Sequence, residues 1–272
     1  MIGTCRLCGE NRKLSFEHIP PRSCFNDKPV YVLDGERLLR EEFNLDSPRG
    51  SQSQRGLGSY TLCEQCNNDT GAWYGNAFAE WTHYAARVLF YTRTEPVLYY
   101  PFRCFPLRVL KQIVIMFFSA SHQGFNRAHP ELVKFCLNKE YHYYPENLRI
   151  YSYYNPSGRG RMAGVTGRLN GITGEMPVIC EVSWFPMGYV LALRGGKPDD
   201  RLFDITFFSR YFFNDWKEFS LKIKALPIYT HFPGDYRTRD EVNRDRLLNE
   251  AEARKAAANK RLHRIADKSG SG

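Results

Sequence analysis

Apolar residues recur at three- and four-residue spacing over 72–91, which predicts an amphipathic helix in that segment. A second helix is predicted over 106–120, where the sequence is apolar enough for burial on all sides. A third, shorter helix is predicted to begin at Pro130, because proline is favoured in the first turn of a helix. The middle of the chain is therefore expected to be mainly helical.

The hydrophobic period changes after residue 147, where β-branched and aromatic runs are separated by glycine and proline. These runs predict strands over 148–154, 178–185, 189–193 and 205–212, with a further strand within 219–229. Together they indicate an antiparallel sheet from roughly 147 to 230. The segment 238–267 is rich in Ala, Glu, Arg and Lys and is predicted to be helical, and 269–272 is predicted to be a flexible end.

These elements predict an α+β protein in three parts. Residues 1–92 are expected to form a zinc-bound head that ends in the long helix. Residues 93–237 are expected to form a mixed domain of helices and antiparallel strands, and 238–268 a basic C-terminal helix. Residues 27–58 are polar and rich in turn-forming residues, which favours an extended loop within the head.

Composition narrows the class of protein. The chain has 272 residues, of which 43% are hydrophobic, so a substantial core can form and global disorder is excluded. The apolar run 113–118 is too short to span a bilayer, and no secretory signal is visible, which favours a soluble cytoplasmic protein without a membrane partner. The net charge of +9 lies mainly outside the cysteine-rich head and weakly favours polyanionic partners.

Two Cys-x-x-Cys pairs provide the strongest chemical signal, namely Cys5 with Cys8 and Cys63 with Cys66. Zn²⁺ prefers four tetrahedral sulfur or nitrogen ligands, and each pair can offer two thiolates from one tight turn. Four protein ligands close the coordination shell, so we expect a structural zinc rather than a catalytic one; free thiols or a redox pair are the alternative. The other four cysteines have no partner at ligand spacing and are expected to be buried or free thiols: Cys24, Cys104, Cys136 and Cys180.

A second set of polar residues lies beside the cysteines. Glu17 and His18 stand between the two pairs, and Asn67 directly follows Cys66, so a shared zinc would bring them together. An imidazole titrating near neutral pH can take a proton from water. Carboxylate and amide oxygens suit Mg²⁺ or Mn²⁺, and such an ion stabilises charge during phosphodiester cleavage.

The order Cys-x-x-Cys, acid-His-Ile-x-Pro, Cys-x-x-Cys-Asn over residues 3–75 resembles the HNH (ββα-metal) endonucleases that carry a treble-clef zinc knuckle. The resemblance implies that His18 is the general base and that Glu17 is a ligand of the catalytic ion. Asn67 matches the variant in which asparagine replaces the last histidine ligand. DNA as the substrate and a role in antiviral defence are likewise implied by the family.

One departure from the family concerns the asparagine that many members carry about five residues before the second cysteine pair. That asparagine braces the loop carrying the base, but here the position falls near Gly58-Ser59-Tyr60. Asn68, Ser59 or Asn44 is expected to take over the bracing, unless the loop is held in another way or the centre is weakened.

Each candidate also has a structural explanation. His18 can be a hydrogen-bonded structural residue, Asn67 a helix cap and Glu17 a solvated charge. Arg22 suits a phosphate or a plain surface role, and Lys260 and Arg261 can follow a nucleic-acid duplex or face solvent.

Aromatic residues interleaved with basic ones, around 99–103 and 149–161, suit single-stranded nucleic acid but are more typical of a sheet core. Two functions are consistent with the sequence. One is a metal-dependent endonuclease, and the other is a non-catalytic zinc module that binds nucleic acid or a protein partner, including a second copy of the chain.

Overall fold

A computed structural model of the chain describes residues 1–33, 50–92, 97–167 and 176–269. Within these ranges the protein combines helices with antiparallel sheets, which confirms the predicted α+β class and the helical segment at the C-terminus. Half of the loop predicted over 27–58, residues 34–49 with Asn44 among them, lies outside the described residues. The described helices include none that is both long and apolar enough to cross a bilayer.

The N-terminal sheet has three strands in the order β1-β2-β5, all antiparallel: β1 (Ile2–Thr4), β2 (Asn11–His18) and β5 (Gly58–Cys63). A separate pair of short strands, β3 (Val30–Val32) and β4 (Ser51–Ser53), lies in the connection between β2 and β5. The β2–β5 pairing is interrupted by a bulge that leaves Thr61 without a partner across the ladder. This sheet carries Glu17, His18 and Cys63, and Cys5 directly follows β1.

Helix α1 (Glu64–Thr70) begins directly after β5, and the chain continues through a π-helical turn, Gly71–Gly75, into α2 (Asn76–Thr92). The helix predicted from residue 72 therefore starts earlier than its apolar pattern indicated. The reason is that the first turn is polar and is capped by a thiol, since Cys63 Sγ accepts the N–H of Cys66 at 3.5 Å. On α2, Phe78 and Trp81 are buried and face the rest of the protein.

The predicted helices over 106–120 and from Pro130 are confirmed as α3 (Pro106–Ala120) and α5 (Pro130–Leu137), with the short α4 (Phe125–Ala128) between them. Helix α3 is buried along nearly its whole length. Strand β6 (Val97–Cys104), which precedes α3, pairs with the distant β12 (Lys217–Lys224). Strand β12 confirms the first part of the strand expected within 219–229.

The main sheet has five strands in the order β11-β7-β10-β9-β8. All of its pairings are antiparallel, which confirms the antiparallel sheet predicted for this region. Its strands are β7 (Arg149–Tyr154), β8 (Arg161–Gly167), β9 (Val178–Trp184), β10 (Met187–Arg194) and β11 (Phe203–Asp204). Strand β8 was not predicted because its glycines weaken the strand pattern. A Cβ at Gly164 would lie 2.9 Å from the carbonyl oxygen of Ala120, so this strand needs a glycine to pass the end of α3.

The strand predicted over 205–212 is wrong, because Thr206–Arg210 forms a 3₁₀ turn. The Asp204 carboxylate accepts the N–H of Thr206 at 2.7 Å, which starts a turn instead of continuing the strand. Phe208 is buried from this turn, so the aromatic residues that suggested a strand pack into the core from a different backbone.

One hydrophobic cluster runs from the N-terminal sheet through α2 and α3 to the main sheet, and includes Leu14, Trp81, Ile113 and Ile150. The boundary predicted at residue 92 therefore does not separate two cores. The C-terminal helix α6 (Arg239–Ser269) begins after this packed region.

Candidate functional site

The sulfur atoms of Cys5, Cys8, Cys63 and Cys66 lie within 4.8 Å of one another and form a group that could hold a metal ion. The Sγ atoms of Cys8 and Cys63 are 4.0 Å apart. Four sulfurs at about 2.3 Å from one tetrahedral ion would be about 3.8 Å from each other, which is close to the observed spacing. The prediction that the two cysteine pairs converge is confirmed.

Local backbone geometry arranges these thiols for negative charge. Gly9 has a φ of 81°, and its N–H donates to the carbonyl of Cys5, closing the first turn tightly. The N–H of Cys63 donates to the Cys5 sulfur at 3.3 Å. Hydrogen bonding from the Cys66 thiol lowers the pKa of Cys5 to about 4, whereas burial raises the pKa of Cys8 to about 11. The cluster therefore favours one thiolate but does not by itself stabilise four.

The remaining cysteines are buried free thiols, as expected. Burial raises the pKa of all four: Cys24, Cys104, Cys136 and Cys180. None of them belongs to the metal-binding group found among the described residues.

His18 ends strand β2, and its ring is held in a defined orientation. The Nε2 atom lies 2.8 Å from the carbonyl oxygen of Arg55, and the ring edge packs against Phe16 at 5.1 Å between centroids. A carbonyl oxygen can only accept, so Nε2 carries the proton and Nδ1 of the neutral ring keeps a lone pair. The half-buried side chain is thus oriented as a proton acceptor.

Asn26 braces the loop beside His18. Its buried side chain donates to the carbonyl oxygens of Pro20 and Leu57, both at 2.7 Å, and accepts the N–H of Leu57 at 2.7 Å. Gly56 has a φ of 83°, and a Cβ there would lie 2.3 Å from the Asn26 carbonyl oxygen. Asn26 therefore fixes the segment that presents the Arg55 carbonyl to His18.

Asn68, Ser59 or Asn44 was expected in this bracing role, whereas Asn26 was not. Asn68 and Ser59 are exposed, and Asn44 is outside the described residues. Asn26 stands in a polar segment, where no spacing marks it as buried. The nearest signal in the sequence is Gly56, where the backbone passes too close to Asn26 for any side chain. That contact can be recognised only when the fold has brought residue 56 next to residue 26.

The side chains of Glu17 and His18 point to opposite sides of strand β2. Its carboxylate is buried and accepts hydrogen bonds from the hydroxyls of Ser119 at 2.6 Å and Thr61 at 2.7 Å. Burial raises the pKa of Glu17 to about 7. Because adjacent strand residues face opposite sides, Glu17 points toward α3 while His18 packs on the Phe16 face. Glu17 is therefore neither the solvated charge nor the open metal ligand that the sequence suggested.

Asn67 lies in the first turn of α1, and its Nδ2 donates to Ser15 Oγ at 3.0 Å. The helix is capped by Cys63, so the interpretation of Asn67 as the N-cap is wrong. Ser15 and Glu17 are two residues apart and share a face of β2, which places Asn67 on the side opposite to His18.

A hydrated Mg²⁺ or Mn²⁺ ion does not fit Glu17 and Asn67 in this arrangement. Such an ion usually keeps several waters, but the Glu17 carboxylate is enclosed and already bonded to two hydroxyl groups. Glu17 and Asn67 therefore do not form the predicted site for a catalytic ion.

Arg6 joins the cysteine cluster to the middle of the protein. Its guanidinium donates to the carbonyl oxygens of Ser119 and Ser121, both at 2.7 Å, at the C-terminal end of α3. These are carbonyls that a helix end leaves unsatisfied. Since the Ser119 hydroxyl also donates to Glu17, the side chains of two head residues, Arg6 and Glu17, attach the head to the C-terminal end of α3.

The predicted nucleic-acid contacts are distributed over distant elements. Arg22 is exposed in a tight turn closed by the N–H of Cys24 and the carbonyl of Pro21 at 2.8 Å. Lys260 and Arg261 lie on α6, and their side chains are outside the described part of the structure. Of the interleaved aromatic residues, Phe102 and the β7 tyrosines are buried, so they serve the core: Tyr151, Tyr153 and Tyr154.

Compared with protein-family models, curated proteins and solved structures, the chain matches none of them. The likeness to the HNH family therefore depends on the motifs of residues 3–75.

Proposed function

We propose that the head, residues 1–92, carries the catalytic centre of an HNH-type endonuclease that hydrolyses phosphodiester bonds in DNA. The centre lies within residues 3–75, and His18 is its general base. The observation that carries this proposal is the hydrogen bond between His18 Nε2 and the Arg55 carbonyl, which leaves Nδ1 as the proton acceptor. The succession of β2, β5 and α1, joined by four converging thiols, supports a ββα-metal arrangement.

In the proposed reaction His18 Nδ1 takes a proton from a water molecule as the water oxygen attacks phosphorus. A new P–O bond forms, the bond from phosphorus to the leaving oxygen breaks, and the leaving oxygen takes a proton from solvent. Arg22, exposed at the start of the loop that follows His18, offers a guanidinium that suits a phosphate. Asn26 acts as a positioning residue, because it holds the segment that orients the base.

Zinc is the ion we propose for the four cysteines, since it favours tetrahedral thiolate sites and would supply the charge that these thiols need. This site has no open position, so its role is structural. The HNH family implies a second, catalytic Mg²⁺ or Mn²⁺ ion, but Glu17 and Asn67 do not fit it as described. Whether DNA cleavage requires Mg²⁺ or Mn²⁺ is therefore tested directly, by adding or omitting the ion.

The test is cleavage of supercoiled plasmid DNA by the zinc-loaded protein, with and without Mg²⁺ or Mn²⁺. His18→Ala is expected to lower the rate by about 10²- to 10⁴-fold, the usual contribution of a general base. His122→Ala is the matched control, because His122 also has a ring nitrogen close to a backbone carbonyl, with Nδ1 2.7 Å from that of Gln123, and is exposed to solvent. Equal cutting by the unaltered protein and the His18 variant would contradict the proposal.

A second candidate is a non-catalytic zinc module that binds nucleic acid, or a protein partner. The enclosure of Glu17 favours it, because the carboxylate expected to hold a catalytic ion is used to attach the head to α3. DNA binding that weakens with salt, without cutting under any metal condition, would support this candidate. In that case the His18→Ala protein would bind DNA as tightly as the unaltered protein.

A further inference from the structure

Phe25 has a backbone conformation that aromatic residues rarely adopt. Its φ is 61°, and it is the one non-glycine residue with positive φ in the described part of the chain. A bulky side chain in this left-handed region is strained. The side chain remains 36% exposed, so burial does little to offset that strain. Because strained residues of this kind cluster at functional sites, the backbone of Phe25 indicates a functional role for its ring.

Three residues from α2 and from the end of β9 hold Phe25 in place at the surface. The indole N–H of Trp184 donates to the Phe25 carbonyl at 3.2 Å, which fixes the strained backbone. The Phe25 ring lies 4.7 Å from the ring of His83 on α2 and 5.3 Å from that of Phe185 after β9. His83 is itself fixed, because its Nε2 lies 2.8 Å from the Ser23 carbonyl.

We propose that the Phe25 ring, supported by His83 at an interplanar angle of 48° and by Phe185 at 74°, is a platform on which an unpaired base of a nucleic-acid substrate stacks. The proposal rests on the proposed function in taking nucleic acid as the ligand, and it adds that the ligand is single-stranded or locally unpaired. Every base has a flat π-face, so fixed and partly exposed rings bind bases without regard to sequence.

Charge around the platform favours a nucleic acid over an apolar protein segment. Arg22 precedes Phe25 in the same tight turn, and Arg87 follows His83 by one turn of α2; both side chains are exposed. Glu80 lies one turn before His83, and Asp27 has Lys28 as its ion-pair partner at 3.7 Å. Two guanidinium groups flanking aromatic rings match the phosphates and bases of a single strand.

The platform is also connected to the candidate base. The loop that carries Arg22 and Phe25 begins directly after His18, and Asn26 closes it by donating to the Pro20 carbonyl. Asn26 also binds Leu57, next to the segment whose Arg55 carbonyl orients His18. A nucleotide held on Phe25 is thus bound to a loop that Asn26 joins to the surroundings of His18.

The experiment compares Phe25→Asn with the unaltered, zinc-loaded full chain. Asparagine tolerates the left-handed backbone, so this change removes the ring and keeps the turn. Fluorescence anisotropy with a labelled oligothymidine and with a duplex of equal length gives the two dissociation constants. We expect single-strand binding to weaken about ten-fold or more and duplex binding to change less than about two-fold.

Phe212→Asn is the matched control. Phe212 is likewise exposed and packs against a histidine, His142, at 4.8 Å, but it lies outside the proposed platform. This variant should bind both oligonucleotides like the unaltered protein. Unchanged single-strand binding by Phe25→Asn, equal loss for both ligands, or equal loss in the Phe212 variant would each overturn the platform.

Binding and cutting are separate readouts, so the two proposals can fail independently. If His18→Ala abolishes cutting while Phe25→Asn binds the single strand normally, only the platform is wrong. If the unaltered protein cuts no DNA, and the Phe25→Asn variant binds the single strand more weakly than the unaltered protein does, the nuclease proposal is wrong and the platform stands.

Discussion

Among the residues that the structure describes, two glutamates are buried, Glu17 in the head and Glu181 in the main sheet, and their surroundings differ. Glu181 accepts from the Arg161 guanidinium at 2.9 Å, the Tyr153 hydroxyl at 2.7 Å and the Gly234 N–H at 2.9 Å. The Tyr236 hydroxyl adds a fourth donor at 3.2 Å. Glu17 receives two neutral hydroxyl donors, and burial raises its pKa to about 7.

The difference indicates what each region needs from outside the chain. The sheet supplies a buried cation and enough donors for its buried carboxylate, so its charges are balanced internally. The head contains four converging thiols and a carboxylate whose ionisation is opposed by burial. Its stability is therefore expected to depend on a bound ion and on pH, whereas that of the sheet should depend on neither.

Removing the metal is expected to have the largest effect and to separate the two regions. Structural zinc sites contribute on the order of 10 kcal/mol of apparent folding free energy in small domains. A strong chelator should abolish amide-exchange protection in β1, β2, β5 and α1, while β7, β9 and β10 keep most of theirs. Hydrogen exchange followed by mass spectrometry measures both regions in one sample.

Re-adding Zn²⁺ to the chelated protein is the control and should restore protection. If the head keeps its protection in chelator, the four thiols do not hold a stabilising ion and the contrast with the sheet is lost.

Breaking the internal ion pair of the sheet should have the next largest effect. Arg161→Met keeps much of the side-chain volume but leaves Glu181 as an unpaired buried charge, which costs about 3–5 kcal/mol. Urea unfolding of the zinc-loaded protein at pH 7.5 measures the loss. Arg103→Met removes an exposed pair with Glu218 and should change the free energy of unfolding little. Similar losses in the two variants would show that burial of the pair is not what matters.

Glu17→Gln is expected to have the smallest effect and the opposite sign. The folded-state pKa of Glu17 is raised from 4.5 to about 7, so its contribution to stability is fully present below pH 4.5 and is lost as pH rises through 7. Glutamine does not titrate but can still accept from Ser119 and Thr61. The variant should therefore gain up to about 3 kcal/mol relative to the unaltered protein at pH 8, and little at pH 5.

The measurement is the difference in unfolding free energy between the two proteins at each pH, with zinc present throughout, so that the titration of the cysteines cancels. Glu218→Gln, at an exposed position, should show no such trend. Parallel pH profiles for the Glu17 variant and the unaltered protein would mean that the head carboxylate is as well compensated as that of the sheet.

Features that depend on local spacing could be predicted from the sequence. The period of apolar residues located α2, the generally apolar segment 106–120 located α3, and β-branched runs located β7, β9 and β10, because burial of one face or of a whole element leaves a recognisable pattern. The 3₁₀ turn at Thr206–Arg210 escaped prediction because its aromatic residues are buried from a non-strand backbone. The pairing of β6 with β12 also left no local signal, since the two strands are far apart in the chain.

The sequence by itself determined that four cysteines would come in two ligand pairs and that His18 would stand between them. Only the tertiary structure decided which way the neighbouring side chains point. Glu17 faces inward because Ser119, 102 residues away, meets it there, and Asn26 is buried because Leu57 returns beside Pro20. Adjacent strand residues face opposite sides, and which side is buried depends on packing against elements that no local spacing encodes.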